Sequence, residues 1–126
     1  MKYVDGYVLV VPKKNVAAYK KMAADAAKTW MRHGALQYME CKGEDMYPMS
    51  DPSCPNASFM TIAQAKKGET VWFSFIVYKS RKHRDAVNKK VMSDPAMLAV
   101  MKKYEKKAPF DMKRFSYGGF TAEVSK

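Results

Sequence analysis

The residues predict an α+β sandwich of ferredoxin-like order, an antiparallel sheet with helices on one face. Three observations lead there. A β-type apolar run, an amphipathic helix and a second β-type run occur twice, from Tyr3 to Cys41 and from Val71 to Val124. The run that opens each copy is apolar at both parities, as a strand buried on two sides requires. The 126 residues, 48% hydrophobic and 28% charged, suit one domain spanning 1–126 with a core large enough to fold alone.

The first strand is expected through Tyr3, Val4, Tyr7, Val8, Leu9, Val10 and Val11, with Pro12 ending it. Asn15 is then read as an N-cap. Val16, Tyr19, Ala23, Ala26, Ala27 and Trp30 recur at steps of three and four, with Lys21, Asp25, Lys28 and Arg32 opposite, which is an amphipathic helix. His33-Gly34 stops it, glycine taking the place where φ is usually positive, and a strand through Leu36, Tyr38 and Cys41 follows.

From Gly43 to about Ala57 the pattern dissolves into a long loop, before a short strand expected over 58–63 and a turn over 66–69. Val71 to Tyr78 is the most β-prone segment and is expected at or near the centre of the sheet. Ser80 caps a helix whose inward residues are Val87 and Val91, and Asp94-Pro95 restarts a short helix that packs Met97, Leu98, Met101 and Tyr104. The last run has Phe115 and Tyr117 at one parity and Phe120, Ala122 and Val124 at the other; a bulge at Gly118-Gly119 would return all five to one face. With helices on one side only, the other apolar sheet face calls for a partner, and a second copy is the economical one, so a homodimer is expected.

Charge and cysteine content bound the function. The net charge of +11, from 23 Lys+Arg against 12 Asp+Glu, attracts polyanions, but the lysines are spread over several segments rather than gathered in one tail. Nucleic acid is therefore a possible partner without a motif: Trp72 to Tyr78 lacks the Gly-aromatic-aromatic signature of ferredoxin-like RNA readers. Cys41 and Cys54 have neither metal-ligand spacing nor the density of a secreted disulfide scaffold, and reduced thiols are expected. No metal or cofactor is expected. No stretch reads as a targeting segment or a membrane span, which points to a cytoplasmic protein.

Several blocks carry a resemblance. They are Lys2-Tyr-Val-Asp-Gly-Tyr-Val-Leu-Val-Val-Pro, His33-Gly-Ala-Leu-Gln-Tyr-Met-Glu-Cys, Tyr78-Lys-Ser-Arg-Lys-His-Arg-Asp-Ala-Val-Asn, Met92-Ser-Asp-Pro, and Pro109-Phe-Asp-Met-Lys-Arg with Gly118-Gly-Phe. In this order, over nearly the whole chain, they resemble the YbaA-like family of small bacterial proteins, which has no established activity. The resemblance implies the dimeric α+β barrel superfamily, in which two ferredoxin-like sheets pack face to face. The segment from Met46 to Gln64, with Cys54, departs from the family's usual loop.

Barrels of that superfamily commonly hold small molecules between sheet and helices, so inward polar groups are the candidates. Helical phase turns His83 and Arg84 toward the buried side, where an imidazole could exchange a proton and a guanidinium could clamp an anion. The competing reading makes His83 a satisfied helix-start histidine and pairs Arg84 with an acid. Tyr7, Trp72 and Tyr78, with Tyr38 and Tyr117, are candidates to line an aromatic pocket, and the eleven methionines suit an adaptable one. Asp5, and Asp111 near Arg114, are read as ion-pair partners pinning strand ends, and His33 as a cation at a helix C-terminus. Cys41 has no neighbouring base to activate it. The expected function is binding of a small anionic or partly apolar ligand between sheet and helices. The alternatives are a cofactor-independent oxygenase or isomerase, and non-specific nucleic-acid binding through the basic surface.

Overall fold

The computed structural model describes residues 1–47 and 56–126. Its elements run β1 (Tyr3–Pro12), α1 (Val16–Arg32), β2 (Gln37–Lys42), α2 (Phe59–Ile62), β3 (Glu69–Tyr78), α3 (Arg81–Met92), α4 (Pro95–Tyr104) and β4 (Ser116–Thr121). The four strands form one antiparallel sheet in the order β2-β3-β1-β4. This is the ferredoxin-like arrangement, and β3 is interior as its doubly apolar pattern requires.

Strand register sorts the side chains into two sets. Tyr3, Asp5, Tyr7, Leu9 and Val11 of β1 share a face with Thr70, Trp72, Ser74, Ile76 and Tyr78 of β3. Against this face pack Tyr19 and Ala23 of α1, Val87 and Val91 of α3, and Met97 of α4, forming the main core. The opposite face carries Val4, Val8 and Val10 beside Val77, Phe73 and Val71. There α2 and the turn after it cover one corner, where Ala63 and Met60 meet Val10 and Val71. The rest is open: Met39, Phe73 and Phe120 are 40%, 47% and 60% exposed.

Local chemistry explains the element ends. Ser80 accepts from the His83 amide and Asp94 from the Ala96 amide with Pro95 at the first turn, so both expected caps stand. Gly34 ends α1 with φ of 107°.

Four local expectations are corrected. Residues 58–63 form no strand: Ser58 caps a single turn of helix by accepting from the Met60 amide at 3.1 Å, and its own hydroxyl donates to the Met46 carbonyl at 3.2 Å. Asn15 makes no side-chain cap, because a 3-10 turn at Lys13–Asn15 already leads into α1. Leu98 and Met101 are each 51% exposed, since α4 turns Met97 to the core.

No bulge forms at Gly118-Gly119 either, where β4 pairs with β1 without interruption from Ser116–Val8 to Thr121–Tyr3. The glycines make room instead. A Cβ on Gly119 would come within 2.7 Å of the Tyr3 ring, and Gly6 opposite Gly118 leaves space for the Phe120 ring. Phe115 and Tyr117 therefore remain on the helix side and Phe120 on the open side.

Candidate functional site

Between the sheet and α1 and α4 lies a cavity of about 750 Å³. At one level of the sheet each strand contributes one residue to its floor: Tyr117 pairs with Tyr7, Tyr7 with Ser74, and Ser74 with Glu40. The walls are aromatic and thioether groups, among them Trp30 and Met22 from α1, Met97 and Met101 from α4, and Phe110, Met112 and Phe115 from the segment leading into β4. Among the described residues its charged lining groups are Glu40 and Glu105, and no lysine or arginine contributes.

Glu40 is held by three hydroxyls. Tyr19 donates to its two oxygens at 2.8 and 2.9 Å, Ser74 donates to Oε2 at 2.5 Å, and Tyr38 to Oε1 at 3.3 Å. Burial pushes the carboxyl above its usual range, and the bonds from Ser74, Tyr19 and Tyr38 offset only part of that shift. Burial also drives Tyr7, Tyr19 and Tyr38 well above the usual phenol range, with the nearby carboxylates adding to it. All three therefore stay protonated and keep their donor hydrogens across ordinary pH. Glu40 also lines a second cleft of about 440 Å³ between α1 and β2, where Lys20, Lys42 and Trp72 stand.

The sequence candidates are distributed unequally around this cavity. Tyr7, Tyr38 and Tyr117 line it, and Tyr7 and Tyr117 stack at 5.9 Å with an interplanar angle of 19°. Trp72 lies in the adjoining cleft, its Nε1 donating to Thr70 Oγ1 at 3.0 Å. Tyr78 is wholly buried and donates to Asn88 Oδ1 at 3.2 Å, an acceptor shared with Trp30 Nε1.

His83 and Arg84 lie outside the cavity lining. His83 Nδ1 accepts from the Lys79 amide at 3.0 Å, and its ring meets the edge of Tyr78. Arg84 donates to Asp5 at 2.7 Å and stands over the Tyr3 ring. Burial raises the Asp5 carboxyl, with Arg84 opposing the shift.

Other polar groups serve as ties. Arg114 joins Glu69 at 2.6 Å and Asp111 at 2.8 Å, and holds the Glu69 carboxyl down to about 2. Asp94 lies 2.7 Å from both Arg32 and His33, linking the end of α1 to the start of α4. Cys41 pairs with Phe73 on the open face, away from the cavity, and Cys54 lies outside the described residues. Among the described residues no group of His, Cys, Asp and Glu could hold a metal ion, and no helix is long and apolar enough to cross a membrane.

Glu40 is the residue that sequence reasoning missed. Its signal was parity: on β2 it follows Tyr38 by two, so an inward aromatic implies an inward acid.

Across nearly its full length the chain has the fold of several solved structures at low identity. A dimeric ferredoxin-like protein from an uncultured marine organism matches with a TM-score of 0.57 at 9% identity, covering 100% of this chain and 98% of the other. SnoaB, a cofactor-independent oxygenase from Streptomyces nogalater, matches with 0.53 at 13%, covering 98% and 95%. Protein Atu4242 from Agrobacterium tumefaciens matches with 0.56 at 14%, covering 96% and 92%. In sequence, the chain is 42% identical over 124 residues to the uncharacterized protein YbaA of Escherichia coli K12, which covers 98% of each, and to that of Shigella flexneri to the same extent. With residues 2–112 also matching its family profile, the chain belongs to the family described as protein of unknown function (DUF1428).

Proposed function

We propose that this protein binds a small, largely apolar molecule, aromatic in character and carrying one hydrogen-bonding polar group, in the cavity between its sheet and helices. One observation carries the reading: a cavity of about 750 Å³, walled by aromatic rings and thioethers, has a single anchored polar cluster on its floor, Glu40 with Tyr19, Tyr38 and Ser74. Small-molecule sites are commonly of this size and of this make-up, apolar walls with a few fixed polar groups. Of the two ligand characters expected from sequence, the lining supports the partly apolar one. Two glutamates and no cation would repel an anion, and Arg84 is committed to Asp5.

The unit is proposed to act as a homodimer, two copies joined through the part of the opposite sheet face that α2 leaves open. Met39, Phe73 and Phe120 stand out of that face and form an apolar surface that a second sheet would cover. The similarity to a protein described as a dimeric ferredoxin-like one supports the same choice.

The test is a ligand titration with 2-tetralone, a bicyclic aryl ketone, read by tryptophan fluorescence and thermal shift, with benzoate as the anionic counterpart. Saturable quenching by the ketone, weakened by Trp30→Ala or Tyr7→Ala, is the expected result. Saturable binding of benzoate alone would refute the apolar reading. Binding of a nucleic-acid oligomer that falls steeply with salt, with no response to either small molecule, would point to the basic surface instead.

A further inference from the structure

We propose that Glu40 acts as a general base, so that the cavity catalyses proton transfer at a carbon atom next to a carbonyl group. The inference rests on the binding reading above and adds a reaction to it. Three features of the geometry support it. Glu40 is a carboxyl on the floor of an apolar cavity, where a bound molecule replaces water. Among the described residues it pairs with no lysine or arginine: its partners are the hydroxyls of Tyr19, Tyr38 and Ser74, which orient the group without neutralising its charge. Its floor neighbour Ser74 is in register with Tyr7, so a phenol on the next strand stands ready to donate to a developing oxyanion.

The groups facing the carboxyl are Tyr19 from α1, Tyr38 from its own strand, Ser74 from β3 and Tyr7 from β1. Glu105 also lines the cavity, and Lys20 and Lys42 border the adjoining cleft. Burial raises the Glu40 carboxyl toward the range where a base works best at neutral pH.

The reaction balances without an added oxidant or reductant. The C–H bond breaks, its proton goes to a Glu40 oxygen, the electron pair forms the C=C bond of an enolate, and the carbonyl π pair moves to oxygen. Reversal returns the proton to the same carbon, to a conjugated one, or to the oxygen, giving exchange, isomerisation or enol respectively. The substrate class is thus an enolisable carbonyl compound with an apolar, aromatic body.

The test uses 2-tetralone in D₂O, following deuterium entry at its carbons next to the carbonyl by NMR while binding is measured in parallel. Exchange above the buffer rate is expected with the wild-type protein, falling about 100-fold in Glu40→Gln with binding retained, in line with the usual contribution of a general base. The rate should rise with pH and level off above the ordinary glutamate range. Tyr38→Phe, which removes a bond that favours the carboxylate, should move that inflection upward. Binding with exchange no faster than buffer, or exchange unchanged in Glu40→Gln, overturns the base assignment and leaves the binding reading standing. No binding by the wild-type protein overturns both. Should Glu40→Gln fail to fold, Glu40→Asp and the Tyr38→Phe inflection decide the matter: exchange identical to wild type in both overturns the assignment.

Discussion

Replacing Arg84 with alanine separates the two roles open to that residue. In the structure Arg84 and Asp5 form an ion pair at 2.7 Å, with 18% and 3% of their side chains exposed, joining α3 to β1. Removing the guanidinium strands a carboxylate that is 2% exposed. Breaking one side of a buried pair costs about 3–5 kcal/mol, against about 1 kcal/mol or less for an exposed pair. For a chain of this size, at about 4 °C per kcal/mol, Arg84→Ala should lower Tm by roughly 12–20 °C at neutral pH.

The loss should depend on pH. Without Arg84 the Asp5 carboxyl, already raised by burial, rises further in the folded state, while in the unfolded chain it keeps its ordinary value. A folded group with a raised acid pKa holds its proton longer than the unfolded one, so the deficit grows as pH rises above about 4 and shrinks below it. Thermal melts at pH 4 and pH 7 read this directly, with 2-tetralone binding as the functional control. The double variant Asp5→Asn, Arg84→Met should recover most of the loss. If Arg84→Ala instead melted within 2 °C of the wild type and lost ligand binding, the ion-pair account would be refuted and Arg84 would belong to the site.

Glu40→Gln removes a half-buried carboxylate whose folded pKa lies above its unfolded one, a penalty that grows as pH rises through that interval. The variant should therefore melt at or above the wild-type temperature at pH 8, with a smaller advantage at pH 4.5. Gly119→Ala would force a methyl against the Tyr3 ring, within 2.7 Å, and should lower stability by about 1–3 kcal/mol in a urea melt, with partial recovery from Tyr3→Ala. Phe73→Glu puts a charge in the middle of the open sheet face; sedimentation should show the dimer converted to monomer while 2-tetralone still binds. A wild-type monomer at high concentration would contradict the proposed assembly.

Much of the fold was legible because its signals are local and periodic. The both-parity runs of β1 and β3, the three-four spacing of α1, and the Ser80 and Asp94 caps all depend on residues within a few positions of each other. The misses share an opposite property. Whether Gly118-Gly119 bulges depends on Tyr3 and Gly6 across the strand pair, over 110 residues away in sequence. Phe59–Ile62 is too short for periodicity to separate helix from strand, and Ser58 decided it by reaching both an amide and the Met46 carbonyl.

The site was harder still. Tyr7 could be placed by composition, and His83 and Arg84 attracted notice because such side chains often do chemistry. Yet their positions beside Lys79 and Asp5 depend on pairs distant in sequence or on the turn before α3. Glu40 became prominent only when β2, β3 and α1 brought Ser74 and Tyr19 around it.

The two sides of the cavity differ in kind, and the difference bears on what can be altered. The floor is fixed: Tyr7, Ser74 and Glu40 are set by strand register on three adjacent strands, and Glu40 is bonded to hydroxyls from α1, β2 and β3. The roof is compliant, because Met97 and Met101 from α4 and Met112 beyond it are unbranched thioethers able to refit around different shapes. A rigid polar floor under an adaptable apolar roof fixes the position of one functional group and tolerates variation in the body attached to it. Substitutions in the methionine wall should therefore change which molecules bind, whereas substitutions in the floor should change what becomes of them.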